Sequence, residues 1–279
     1  MRQSFVRAIA AVGFVVTAGS ALAFAAPPAS LSRSESKAVE KAVAAPSRTP
    51  SNVVRDKYRN PVQTLSFFGV RPNHVVVEMW PGGGWYTEIL APYVSQGGGT
   101  LYVVAPDQGL NAVRKLIQGN EQLYGKVRAA PLTAGADTPP IPAGSADVVM
   151  TFRNVHNWMM GDKPIADIVF KQMYAMLKPG GVLGVVDHRL PEKADAARER
   201  TSGYVKVSTV RRLAEAAGFQ YAGSTEVNAN PKDTADWPGG VWTLPPVNRG
   251  PEADRAKYLA IGESDRMTLR FVKPARTGG

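Results

Sequence analysis

The chain of 279 residues contains no cysteine. That excludes disulfides, thiolate metal ligands, cysteine nucleophiles and attachment of lipid to an amino-terminal cysteine. Acidic residues are scarce: 23 Asp and Glu stand against 33 Lys and Arg, for a formal net charge of +10. Such a balance favours acidic ligands or anionic surfaces. Lys and Arg nowhere occur in runs longer than two, so the excess reads as a solvated basic surface and not as a nucleic-acid footprint. The G-x-G-x-x-G spacing of a dinucleotide site is absent, and so is any internal repeat.

What is present begins with a leader. Arg2 and Arg7 flank an uncharged stretch from Ala8 to Ala26, followed by Pro27-Pro28, with A-x-A sites at Ala21-Leu22-Ala23 and Ala23-Phe24-Ala25. This order predicts a signal peptide over residues 1–25, and hence export, to a periplasm, of a protein not inserted in the membrane after cleavage. The alternative is an uncleaved anchor, since the uncharged run is almost long enough to span a bilayer. Residues 26–54, rich in Ala, Ser, Pro and Lys, read as a flexible tether with a weak helical patch at Ser34 to Val43. The remaining residues, 55–279, form one domain.

That domain is organised around Val75 to Val94, VVVEMWPGGGWYTEILAPYV. Val75, Val76 and Val77 make a β-branched run suited to a strand covered on both faces. Pro81 and Gly82-Gly83-Gly84 break the pattern, after which Tyr86, Ile89, Leu90, Tyr93 and Val94 recur with helical spacing. Before this unit, Arg55 to Gly69 reads as a helix with Asn60 and Pro61 as N-cap and first-turn residues. Further strands are expected at Leu101 to Ala105, Lys126 to Ala130, Ala146 to Phe152, Val182 to Asp187, Gln220 to Thr225 and Met267 to Val272. Helices fall between them, one stopped by Lys178-Pro179-Gly180-Gly181 and one capped by Ser208. Asn228 to Pro251 is too long for a simple connection and reads as a lid or packing arm. The alternation predicts an α/β fold, a doubly wound and mostly parallel seven-stranded sheet with the last strand antiparallel.

Ligands of open α/β sheets bind at the carboxyl ends of the strands. Glu78 to Trp85, Asp107 and Arg153 to Trp158 lie there, with Asp187-His188 beside them. Glycines admit a ligand to the backbone, carboxylates suit ribose hydroxyls or a cation, and aromatic rings suit an adenine or a sulfonium. His156 and His188 are candidate proton acceptors, with Asp187 to orient either one. The Asp-His pair is too little for a metal site and no other ligand spacing supports one.

VVVEMWPGGGWYTEILAPY, DVVMTFRNVHNWM, MLKPGGVLGVVDHR and the later AEAAGF resemble the successive motifs of class I S-adenosylmethionine-dependent methyltransferases, in particular a bacterial group carrying export signals. The resemblance implies a Rossmann-like fold, S-adenosylmethionine as cofactor and transfer of a methyl group to a small-molecule acceptor. It implies a cofactor site built from Glu78, Pro81, Gly82, Gly83, Gly84, Trp85, Asp107, Arg153 and Asn154. The family usually ends its second strand with an acidic residue; here Ala105 holds that place and Asp107 follows two residues later. Trp80 stands where many relatives have the first glycine. Two other readings stay open: a noncatalytic exported binding protein that keeps the fold, and a nicotinamide oxidoreductase. The acceptor and the oligomeric state are not legible in the sequence.

Overall fold

The computed structural model describes residues 31–133, 136 and 138–275; the expected signal peptide and the first residues of the expected tether lie outside the described residues. The chain runs α1 (Arg33–Val43), α2 (Pro50–Val53), α3 (Asp56–Arg59), α4 (Pro61–Phe68), β1 (Val75–Met79), α5 (Thr87–Gln96), β2 (Thr100–Ala105), α6 (Asn111–Gly119), α7 (Glu121–Tyr124) and β3 (Arg128–Pro131). It continues through β4 (Ala146–Phe152), α8 (Val155–Met159), α9 (Ala166–Met176), β5 (Leu177–His188), α10 (Val207–Ala216), β6 (Gln220–Thr225), α11 (Arg255–Ile261) and β7 (Arg266–Val272). Among the described residues no helix is long and apolar enough to cross a membrane.

The seven strands lie in the order β3-β2-β1-β4-β5-β7-β6. Six are parallel, and β7 runs antiparallel between β5 and β6. β1 is central, pairing Val77 with Tyr102 of β2 and with Val149 of β4. Alternate residues of β1 therefore enter different cores: Val77 and Met79 pack with α9 and α10, and Val76 packs with α4 and α5. This two-sided burial is why its sequence is a continuous apolar run and does not alternate.

The structure corrects four local expectations. Residues 31–54, read as a tether, are folded. Ser32 and Glu35 form a reciprocal capping box at the start of α1, and Val39 is fully buried against the layer of α4 and α5. Arg48 then makes a bidentate pair with Asp56 at 2.6 and 2.9 Å, and the Thr49 N–H and hydroxyl both donate to Glu88. Polar anchoring thus replaces the large apolar residues whose scarcity suggested disorder. The helix expected from Arg55 to Gly69 is broken at Asn60, whose φ of +40° is left-handed and whose side chain donates to the Val227 carbonyl instead of capping.

Lys178-Pro179-Gly180-Gly181 does not separate helix from strand. β5 begins at Leu177, pairs with Ala146, and absorbs the Pro-Gly segment as a bulge before regaining register at Val182 opposite Val148. Ser208 lies inside α10, where its N–H and hydroxyl donate to Glu192; the N-cap position is Lys206.

The approach of α4 to the sheet depends on Gly184 in β5. A Cβ built there would sit 2.6 Å from the Phe68 ring, whose side chain is fully buried. Gly184→Ala is expected to destabilise the protein by about 1–3 kcal/mol through this overlap. Urea unfolding checks it: the midpoint should fall with little change in the slope.

Candidate functional site

The site is built on two strand ends held in unusual backbone. Trp80 follows β1 with φ +51°, and Arg153 follows β4 with φ +62°. Both are conformations that non-glycine residues rarely adopt, and their cost persists only where neighbours enforce it. Here the neighbours are visible. The Trp80 N–H donates to the Val104 carbonyl at 2.7 Å and the Arg153 N–H to Val186 at 2.7 Å. The Asn154 side-chain amide lies 3.1 Å from the Met79 carbonyl, 3.2 Å from that of Trp80 and 3.1 Å from the Thr151 hydroxyl. One amide thus ties the ends of β1 and β4 together. The Trp80 indole also stands edge-on to Trp158, with centroids 5.7 Å apart. A tryptophan held at positive φ accounts for a position where a glycine would be unstrained.

The three glycines that follow have different tasks. A Cβ on Gly82 or Gly83 would meet nothing within 4 Å, and both residues line a cavity of about 320 Å³. Their missing side chains leave room for a ligand beside the backbone. Gly84 does not line it: a Cβ there would lie 2.5 Å from Leu116 of α6, so this glycine serves packing.

Among the described residues three arginines line the same cavity, Arg55, Arg59 and Arg153, and no carboxylate does. Arg55 and Arg59 lie one helical turn apart, so the single turn of α3 presents both together. Their counter-ion is Glu263, which accepts from Arg55 Nε at 2.7 Å, Arg59 Nε at 3.1 Å and Arg266 Nη1 at 2.8 Å. Burial alone would raise the Glu263 carboxyl, but these guanidiniums and Arg153 hold it down to about 2. Arg59 is pulled well below the usual arginine range by burial and by Arg153. Burial lowers Arg153 to about 10, which leaves it cationic at neutral pH.

Opposite the glycines lie the histidines. Asp187, fully buried at the end of β5, accepts from His156 Nδ1 at 2.7 Å and from the His156 and His188 N–H groups at 3.1 and 2.7 Å. With backbone N–H groups donating to both Asp187 oxygens, Nδ1 of His156 is assigned as the donor and Nε2 as the acceptor. His188 sits 4.9 Å from His156 between ring centroids and bonds Ser264 through Nδ1. Burial, reinforced by His156 and Arg153, keeps His188 well below the ordinary histidine range and therefore neutral.

His156, Asp187 and His188, nominated together from the sequence as acid–base residues and not as a metal site, bring three ligand atoms within 4.8 Å of one another. Two imidazoles and a carboxylate are metal ligands in principle. Here the carboxylate oxygens are already shared among three N–H donors, and Arg153, Arg266 and Arg59 supply the neighbouring charge. That field disfavours a cation and suits a hydrogen-bonded base.

Of the residues nominated from sequence, Pro81, Gly82, Gly83, Trp85, Arg153, Asn154, His156 and His188 line the cavity, with Asp187 behind His156. Glu78 and Asp107 do not. Glu78 is buried beneath the loop and accepts from the Thr87 hydroxyl at 2.6 Å. Asp107 is exposed and paired with Arg114 at 2.5 Å, and Ala105, at the strand end itself, is buried. Residues not nominated also line the cavity: Asn52, Arg55 and Arg59 from the amino-terminal segment, and Val241, Trp242 and Pro245 to Val247 from the arm at 228–251. The alternation of Pro and Trp in that arm was the available signal; Arg55 and Arg59 offered only their shared helix face.

Burial raises the Glu78 carboxyl to about 8 from an ordinary value of 4.5, opposed by the Thr87 hydrogen bond. A carboxyl raised by folding stabilises the fold below its unfolded value, and that contribution is lost as pH rises through its folded value. Glu78→Gln, which keeps a neutral side chain at every pH, should match the wild type near pH 5 and be the more stable protein above pH 8. Thermal unfolding across that range checks this; parallel Tm curves would contradict it.

Residues 77–185 match the sequence profile of a family described as methyltransferase domain, a span from β1 to β5. No curated protein sequence matches the chain. Among solved structures, the chain is similar to a SAM-dependent methyltransferase from Aquifex aeolicus, at 15% identity and a TM-score of 0.54, over 85% of this chain and 98% of that one. It is similar to the [4+2]-cyclase SpnF at 15% identity and a TM-score of 0.55, over 78% of this chain and 80% of that one. An O-methyltransferase family protein from Burkholderia thailandensis matches at 16% identity and a TM-score of 0.51, over 81% of this chain and 58% of that one. The fold is thus that of the Rossmann-like methyltransferases. A cyclase among these neighbours shows that the reaction has to be argued from the residues of the site.

Proposed function

We propose that the protein is an S-adenosylmethionine-dependent methyltransferase acting on a small molecule that carries a hydroxyl or an amine. The observation that carries this reading is the cavity between Gly82-Gly83 and the Asp187–His156 pair, set on a fold of the right class, with its glycine turn and His156 inside the span matched by the methyltransferase profile. The residues suit the cofactor. Gly82 and Gly83 leave the backbone open, and Trp80, whose buried indole N–H has no partner among the described residues, supplies a ring to a purine or a sulfonium. Asn52, Asn154 and Asn157 line the cavity where hydroxyl groups need partners, in place of the strand-end carboxylate that Asp107 does not provide.

A bound cofactor would supply an electrophilic methyl group on a sulfonium, with the sulfur as leaving group that keeps the bonding electron pair. The work of the chain is orientation and proton removal. His156 takes the acceptor proton on Nε2, and Asp187, bonded to Nδ1–H, fixes the tautomer and stabilises the imidazolium that forms. His188, held neutral by burial, adds no competing charge to that imidazolium. The arm carrying Trp242 and Val247 covers the cavity and limits water. The leader at residues 1–25 supports an exported, periplasmic site of action.

Two outcomes are expected. Gly83→Val places a side chain in the cavity at a position with no protein neighbour within 4 Å, so it should abolish S-adenosylmethionine binding and leave the unfolding midpoint within about 1 kcal/mol of wild type. Unchanged affinity, read by tryptophan fluorescence, would show the cofactor lies elsewhere. With an acceptor that supports turnover, His156→Ala should lower kcat about 10²- to 10⁴-fold while cofactor affinity stays within about 2-fold. Equal losses in both would make His156 a binding residue and not a base.

A further inference from the structure

The cavity wall holds more positive charge than the protein neutralises. Arg55, Arg59 and Arg153 line it and Arg266 stands behind, four guanidiniums facing two carboxylates, Glu263 and Asp187. Glu263 is already shared by Arg55, Arg59 and Arg266, and Asp187 is taken by His156 and two backbone N–H groups. Donors remain unused. Nη2 of Arg55 and Nη2 of Arg59 are buried without a hydrogen-bond partner, and Arg59 as a whole is 5% exposed. The Arg153 side chain has no hydrogen bond or ion pair among the described residues. Buried donors and charges left in this state cost stability unless a ligand completes them.

Resting on the methyltransferase reading, we infer that the acceptor is an organic anion, a compound bearing a carboxylate or a phosphate, whose charge is received by Arg153 together with Arg55 and Arg59. The cofactor does not remove the need for it. S-adenosylmethionine carries one carboxylate against an ammonium and a sulfonium, so its binding adds net positive charge to a site that already has an excess. An acceptor with one or two negative charges lowers that excess and uses the open guanidinium forks, which match carboxylate and phosphate oxygens in a bidentate way. Arg153 is next to Asn154 and three residues before His156, and all three line the cavity, so an anion on Arg153 holds a neighbouring hydroxyl or amine on the side of the cavity where the base lies. Trp242 and the Pro245 to Val247 segment offer apolar cover for the body of such a molecule.

The test is a tryptophan-fluorescence titration of the full chain with benzoate, phenyl phosphate and benzyl alcohol at constant ionic strength, first without cofactor. Benzoate or phenyl phosphate should bind at least about 10-fold more tightly than benzyl alcohol; the tighter of the two identifies the charge the site prefers. Arg153→Gln should remove at least about 10-fold of that affinity; S-adenosylmethionine binding that stays within about 2-fold would move Arg153 from the cofactor role implied by the family resemblance to the acceptor. Arg55→Gln, which leaves Glu263 paired with Arg59 and Arg266, should show the same pattern should Arg153→Gln fold poorly. Equal binding of the alcohol and the anions, or no effect of either substitution, would overturn the inference. A parallel loss of cofactor and anion in both variants would also overturn it, by assigning the arginines to the cofactor's own carboxylate. Anion binding that obeys these expectations in a chain that does not bind S-adenosylmethionine would uphold the anion site and refute the methyltransferase reading.

Discussion

One buried carboxylate holds the site together. Glu263, 3% exposed, receives Arg55 and Arg59 from the amino-terminal segment and Arg266 from the start of β7. The residues it joins are separated by more than 200 positions in the chain. Burying such a cluster costs desolvation, which mutual attraction offsets only when the geometry is good and the remaining protons are met. Removing the carboxylate alone would leave three cations uncompensated, a change that costs about 3–5 kcal/mol for buried pairs. Glu263 therefore fixes where α3 lies, and with it one wall of the cavity. The same amino-terminal segment is held on its other side by Thr49 on Glu88, and by the Trp85 indole N–H donating to the Asn52 carbonyl at 2.8 Å.

Across the cavity the chemistry is separated by environment. On the arginine side, charges are retained because a carboxylate and the stacking of Arg59 on Trp85, 4.8 Å from the ring centroid, compensate part of the desolvation. On the histidine side, Asp187 spends its acceptor capacity on one ring nitrogen and two backbone donors, so a single tautomer of His156 results. Beneath the glycine turn, Glu78 has no cationic partner among the described residues, and its carboxyl is raised by burial. Three carboxylates near one strand edge thus have three roles: counter-ion, orienting group and a neutral hydrogen-bonding group in the core.

The fold was legible because its signals are local. The valine run of β1, the apolar stretch of β4 and the helix periodicities each report burial of a short segment, and their alternation prescribes a parallel sheet. The glycine turn, Arg153-Asn154 and Asp187-His188 were legible for the same reason, since each lies at a strand end. What escaped is non-local. Nothing within residues 26–54 shows that Glu88 and Glu263 await their polar groups, so a segment poor in apolar residues read as a tether. Arg55 and Arg59 are ordinary surface residues until Glu263 meets them. Glu78 read as a ligand contact because a strand-end carboxylate faces the crevice in many α/β folds, whereas Thr87 turns it inward here. Asp107 begins a short 3₁₀ turn and pairs with Arg114 at the surface, which leaves the second strand without a carboxylate at the cavity.

The account rests on the claim that the space between the glycine turn and the Asp187–His156 pair receives S-adenosylmethionine. Isothermal titration calorimetry of the chain without residues 1–25, with S-adenosylmethionine and with its demethylated product, tests this most directly. The account predicts saturable binding of both at one site per chain. The absence of measurable heat with either ligand, in a protein shown to be folded, would contradict it.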